Sequence, residues 1–330
     1  MPAEPRLLSC THLILRPWKT LDTVINLDGP DYDERIADGE APPRWVSDHP
    51  ELKNDDMVFR FHRRKHRVFL FEHIHSGCCY YVKLPRDSIV SREADIYEYL
   101  QQDPASSNYI LPCVKLVGEK PFLVTPEAGN WEYWSYRKRP LSHYLTALSR
   151  IIKIIAYLHS RHVVHLDLSD SNMVWAPETN TFFGKEVKAE YPYPIDFEFS
   201  QRLELGPGVQ PAIELPPSAI KKPRGITHLD PYSWDVYCLG WLLQWTISSR
   251  YLHHTPPWLL RRYVQWIIGE ERGCAGVCRC RPTARQAHQV LTLMRICVGV
   301  YESVGSFWTS FGGVWGRLFY RRWWSLNAKV

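Results

Sequence analysis

His165-Leu166-Asp167-Leu168-Ser169-Asp170-Ser171-Asn172, with Asp196-Phe197-Glu198 beginning 24 positions after Asn172, is the part of the chain from which the rest is read. One aspartate can accept a proton from a hydroxyl, an asparagine stands five positions on, and a second aspartate follows Pro194-Ile195. These are the groups that hold a nucleophile and a magnesium ion against a nucleotide. A single Asp or Asn in a loop is most often a turn former. The joint spacing, directly behind a long apolar-striped segment, gives these residues their weight.

That segment is Leu141 to Ser160, where Leu141, Tyr144, Leu145, Leu148, Ile151, Ile152, Ile155 and Leu158 form one broad stripe, predicting a long amphipathic helix. Upstream, Met57 to Phe61, Arg67 to Phe71 and Cys78 to Leu84 have strand character and are separated by polar turns. A helix over Ser91 to Leu100 follows, then strands over Leu111 to Leu116 and Phe122 to Thr125. Residues 1 to about 56 show little periodicity and carry Asp28-Gly29-Pro30-Asp31 and Pro42-Pro43, so a loop-rich extension is expected. After Gly129, helices are expected to dominate. The stretch around Ala176 to Tyr191 is assigned to a surface hairpin.

The order and motifs resemble the eukaryotic protein kinase superfamily. Asp235-Val236-Tyr237-Cys238-Leu239-Gly240 is similar to its D-V-x-x-L-G helix, and Arg281-Pro282-Thr283-Ala284 to its late R-P-T-A motif. The resemblance implies an α+β, two-lobed fold: a small five-stranded antiparallel lobe with one main helix (57–126) and a larger, mostly helical lobe (127–294). Residues 1–56 would be an extension and 295–330 a tail. It implies ATP and Mg2+ as cofactors. Asp167 would be the base, with Asn172 and Asp196 beside it as metal ligands. Lys83 and its ion-pair partner Glu93 would clamp the phosphates, and Val174 would join them in nucleotide binding. Asp235 would bond the backbone of the catalytic loop, and Arg281 would pair with Glu214. The implied reaction is phosphoryl transfer to Ser or Thr hydroxyls of a protein substrate. The alternatives are a pseudokinase acting as a binding module and, because of Asp-Phe-Glu, a small-molecule kinase of the choline-kinase or aminoglycoside-phosphotransferase type.

Several positions depart from the family. Gly39 is the only glycine from Asp31 to Ser76, so the glycine-rich loop is missing, and the corresponding turn, Arg63-Arg64-Lys65-His66, is expected to be a solvated basic tip. Side chains two apart in a strand share a face, so Tyr81 is expected beside Lys83, where kinases have the alanine that roofs the adenine pocket. Leu166, Ser169 and Glu198 replace an arginine, a lysine and a glycine of the family. Control by activation-loop phosphorylation is therefore not expected.

Composition bounds the rest. With 330 residues, 45% of them hydrophobic, the chain suits an enzyme-sized folded protein. The net charge of +5 is spread over 40 basic and 35 acidic residues, too diffuse for a nucleic-acid partner. Nine scattered cysteines point to reduced thiols, and Cys274, Cys278 and Cys280 lack the second pair of a zinc site. No signal segment or membrane-spanning run is read, so cytoplasm or nucleus is expected. The tail from Arg295 to Val330 holds nine aromatic residues with Arg317, Arg321 and Arg322, and Glu302 is its only acid. It is expected to cover the large lobe or the extension, with peripheral membrane or partner contact as the alternative.

Overall fold

The computed structural model describes residues 32–84, 90–136, 139–252, 254–270 and 277–310. The fold class is α+β. Two compact units divide the chain: residues 1–130 with 172–202, and residues 131–171 with 203–330.

The first unit opens with three short helices, α1 (Tyr32–Ala37), α2 (Arg44–Ser47) and α3 (Pro50–Asn54). The expectation of a loop-rich extension is corrected for residues 32–56, while residues 1–31 lie outside the described residues. Helices of four to six residues complete too few turns to show a 3.6-residue stripe, so periodicity could not reveal them. They are also core material: Tyr32, Val46 and Leu52 are buried with the sheet residues Phe59, Phe69, Phe71, Tyr80 and Val82. Each such side chain contributes roughly 1.5–3 kcal/mol of burial.

The sheet comprises β1 (Met57–Arg64), β2 (Val68–His73), β3 (Cys79–Lys83), β4 (Val114–Val117) and β5 (Pro121–Pro126). Its order is β1-β2-β3-β5-β4, with every pairing antiparallel. In β3, buried Tyr80 and Val82 alternate with half-buried Cys79, Tyr81 and Lys83. Tyr81 therefore does share the face of Lys83, opposite Leu70 of β2. Helix α4 (Val90–Gln101) precedes β4 and buries Ile96, Tyr97 and Leu100.

The stretch after Trp175 forms the expected hairpin, Asn180–Phe182 paired with Lys185–Val187. Phe183 and Gly184 turn it with φ of 51° and 71°, as a tight two-residue connection requires. It is not merely a surface feature. Phe182 and Val187 are buried in the sheet core, and the Tyr80 ring meets Phe182 edge-on at 5.7 Å.

The second unit is built on α5 (Trp131–Ser135), α6 (Leu141–Ser160), α7 (Pro231–Arg250), α8 (Trp258–Ile268) and α9 (Ala284–Ser310). Helix α6 matches the expected span and buries Ile151, Ile152, Ile154 and Ile155 completely. Asp230 caps α7 by accepting from the backbone N–H of Tyr232 at 2.9 Å, and Pro231 occupies the first helical position. Gly240 lets α7 approach α8, since a Cβ there would stand 2.7 Å from Ile268 Cγ1. Helix α9 runs without a break through residue 295, where the tail was expected to begin. Residues 311–330, and with them most of the aromatic tail, lie outside the described residues. No described helix is long and apolar enough to cross a membrane.

The uniformly reduced thiols expected from spacing need one correction, because Cys78 is disulfide-bonded. Cys113, Cys238, Cys278 and Cys297 are free thiols. Cys274 lies outside the described residues.

Candidate active site

In the first unit, β3 ends on Lys83, whose ammonium bridges two carboxylates: Glu93 Oε2 of α4 at 2.7 Å and Asp196 Oδ1 at 2.5 Å. Glu93 also accepts from the backbone N–H of Phe197 at 3.1 Å, tying α4 to the segment that carries Asp196. The Phe197 ring is fully buried and meets Tyr97 of α4 edge-on at 5.0 Å. Three residues chosen from sequence, Lys83, Glu93 and Asp196, thus meet in one cluster. Glu98, on the same helix, pairs instead with Lys115 of β4.

Burial alone would lower the Lys83 pKa, but the charges of Glu93 and Asp196 outweigh it and raise the value, so the amine stays protonated. Glu93 is raised, first by burial and then by the negative charge of Asp196, despite the opposing pull of Lys83. Two carboxylates around one ammonium leave an excess of negative charge.

Asn172 and Asp196 are neighbours through the backbone, Ile195 N–H donating to Asn172 O at 3.0 Å. Asp196 is held at φ 64° and ψ 64°, a left-handed conformation that Asp tolerates better than most residues. Val174 is half-buried in the short strand Met173–Trp175, paired with Tyr193 and Asn130.

Glu198, one of the departures from the family pattern, is held by Arg67. Arg67 Nη2 lies 2.8 Å from Glu198 Oε2, and both side chains are almost fully shielded, at 11% and 6% exposure. Arg67 immediately precedes β2, directly after the basic turn Arg63–His66. Two departures from the family pattern therefore compensate each other. Sequence reading missed Arg67; its one signal was its place at the end of a run of cations.

The basic turn from Arg63 to His66 is exposed, as the expectation of a solvated tip has it, and it is also tethered. Lys65 Nζ lies 2.8 Å from Glu40 Oε1, and His66 N–H donates to Gly39 O at 2.9 Å. A Cβ on Gly39, whose φ is 71°, would stand 2.4 Å from the His66 ring. Arg63 and Arg64 are exposed. Tyr81 is half-buried, and burial, with Glu127 adding to it, pushes its hydroxyl up to about 12.

In the second unit, Asp235 of α7 bonds the backbone of the loop that starts at His165, the contact the resemblance implied. Its Oδ2 accepts from His165 N–H at 2.8 Å and its Oδ1 from Leu166 N–H at 2.8 Å. His159 Nε2 lies 3.0 Å from Oδ2, and Trp234 Nε1–H donates to Leu166 O at 2.9 Å. Asp235 is wholly buried. This clamp holds Leu166 at φ 66°, a value that is uncommon for a non-glycine residue. Asp167 follows directly. Its Oδ1 accepts from Ser218 Oγ at 2.8 Å and from Ala219 N–H at 3.0 Å. Nothing in the sequence around Ser218, between Pro217 and Ala219, marked it.

The expected Arg281–Glu214 pair is not formed. Arg281 donates to Ile268 O at 2.6 Å and Ser233 Oγ at 3.1 Å, and stacks over Tyr237 at 4.9 Å. Glu214 is exposed in a two-residue strand against His228. Arg281 bonds the helices that flank it in space, a choice that motif matching does not reveal.

Comparison with protein-family models and with curated proteins finds no match for this chain.

Proposed function

We propose that this chain is a phosphotransferase of the protein-kinase type, with a two-lobed kinase-like fold and Ser or Thr hydroxyls of a protein as acceptors. The observation that carries the reading is the Lys83–Glu93–Asp196 cluster, because residues picked by motif from three separate parts of the chain converge there. The donor set suits a hard divalent cation. Asp196 and Asn172 offer oxygen ligands on adjoining backbone, and the excess negative charge beside Lys83 favours a cation. Magnesium is commonly held by only one or two carboxylates together with phosphates and water.

In this reading Lys83 orients the phosphates and Glu93 fixes Lys83. Asn172 and Asp196 would hold magnesium, which when bound neutralises charge on the phosphates. Asp167 accepts the hydroxyl proton of the acceptor at a carboxylate oxygen. Arg67 neutralises Glu198 and so keeps that carboxylate from repelling the nucleotide. Val174 lines the nucleotide's side of the same unit.

A non-catalytic binding module is the second reading, favoured by one observation: Tyr81 puts a ring on the Lys83 face where the family has alanine. Thermal unfolding with ATP and magnesium tests both. A ligand at 100 times its Kd stabilises the folded state by about 2.7 kcal/mol. A clear upward shift is expected, and a larger one for Tyr81→Ala at the same ATP concentration. No shift at millimolar ATP in either protein would leave the binding-module reading standing.

A further inference from the structure

Helix α8 commits one face to the interior of the second unit. Leu260, Tyr263, Val264 and Ile267 are buried, and the Tyr263 hydroxyl donates to Ala287 O of α9 at 2.7 Å. Its outer face is not the polar surface that an amphipathic helix of a globular unit normally presents. Trp258 is 59% exposed, Leu259 51% and Trp266 41%. The same unit encloses Trp131, Trp134 and Trp234 completely, so it has room for indole rings and leaves these two outside. Trp258, Arg262 and Trp266 recur at i, i+4 and i+8 and form one row along the helix. At 1.5 Å of rise per residue the two indoles stand about 12 Å apart. Arg261 and Arg262 are exposed beside them, and the Arg262 guanidinium lies 5.9 Å from the centroid of the Trp258 ring. No Asp or Glu occurs from Val236 to Gly269, and Glu270 follows only after the helix has ended. The charge that α8 carries therefore has one sign.

We infer that the outer face of α8 docks on an anionic lipid surface. Tryptophan sits at the headgroup level of a bilayer, its ring on the apolar side and its N–H hydrated. An arginine between two such rings meets lipid phosphate and carboxylate groups at the same depth. A cationic helix that shows Trp and Leu outward lies in the plane of the interface and does not cross it. Charge of a single sign matches an anionic leaflet, whereas a protein patch of mixed charge would find no acid on this helix for its own cations. The face belongs to the second unit alone and shares no residue with the Lys83 cluster or with Asp167. Docking is thus independent of whether the chain transfers phosphate.

The test is flotation of the full chain with vesicles of phosphatidylcholine alone and of phosphatidylcholine mixed with phosphatidylserine. Binding to the mixed vesicles is expected, and it should fall at high salt as the surface charge is screened. Trp258→Ala combined with Trp266→Ala should weaken it at least about tenfold. Arg261→Gln combined with Arg262→Gln should weaken it about 25-fold, a factor of about five for each cation near a charged surface. The arginine pair keeps the test decisive if removing both rings disturbs the fold. Three results would overturn the proposal. Equal binding to the two kinds of vesicle would remove the anionic surface as the ligand. Wild-type binding by both folded double variants would put the lipid contact elsewhere on the chain, the 295–330 tail included. Absence of binding by the wild type would reject a lipid surface, and self-association lost in the tryptophan variant would then assign the face to a second copy of the chain.

Discussion

Asp235→Ala is expected to cost about 3–5 kcal/mol of stability, the range for removing one partner from a buried charged network. The side chain is wholly buried and accepts two backbone N–H bonds at 2.8 Å. Alanine supplies no acceptor, and water cannot enter without opening the packing of Trp234 and Leu166. Each orphaned donor then carries a desolvation penalty of about 1–3 kcal/mol. The His159 ring, 3.0 Å from the same carboxylate, loses its partner as well. Asp235→Asn should fall between wild type and Ala, because its amide keeps one acceptor but turns N–H groups toward a second donor. Denaturant unfolding with an unchanged m-value would measure the effect. A loss below about 1 kcal/mol for Ala would mean that the two N–H groups find other acceptors. The consequence for function is local. Leu166 stays left-handed only while both ends of its peptide environment are held, so the Asp167 carboxylate should lose its placement before the Lys83 cluster is affected.

The second large effect is the coupling between Arg67 and Glu198. Arg67→Met leaves a shielded carboxylate among Glu93 and Asp196 without its cation, a loss of about 3–5 kcal/mol for a buried pair broken on one side. Combining it with Glu198→Leu removes the stranded charge, so the double variant should be more stable than Arg67→Met alone. The coupling energy is expected toward the upper end of the usual range of about 0.5–3 kcal/mol for residues in contact. It should change little with salt, because shielded pairs are poorly screened. Additive losses would show that the 2.8 Å contact carries no energy of its own. Magnesium-dependent ATP binding should fall in Arg67→Met, since the freed Glu198 carboxylate repels phosphate.

The legibility of the chain follows the length and periodicity of its signals. Helix α6 was readable end to end because eight apolar side chains repeat through 20 residues. The alternation in β3 placed Tyr81 beside Lys83 correctly, since a period of two leaves no other face. The contacts of Lys83, Glu93, Asp196 and Asp235 could be anticipated because the motifs tie these residues to fixed offsets from strand ends and loops. The short helices α1 to α3 were invisible for the opposite reason, being shorter than two turns. The hairpin at Asn180 to Val187 was placed, but its burial was not, because three apolar side chains in a polar stretch do not say what they pack against. Arg67, Ser218 and the true partners of Arg281 depend on contacts between residues 131, 51 and 48 positions apart. No local pattern encodes such distances.

The most direct measurement is transfer of label from radiolabelled ATP, with magnesium, into a generic serine- and threonine-containing protein by the wild-type chain and by Asp167→Asn. The wild type is expected to transfer label to hydroxyl side chains. Asp167→Asn should lose about 100-fold or more of the rate, as removal of a general base does, while its ATP-dependent thermal shift persists. Equal transfer by the two proteins, or none by a wild type that binds ATP, would contradict the assignment of Asp167 as the base of a phosphotransferase.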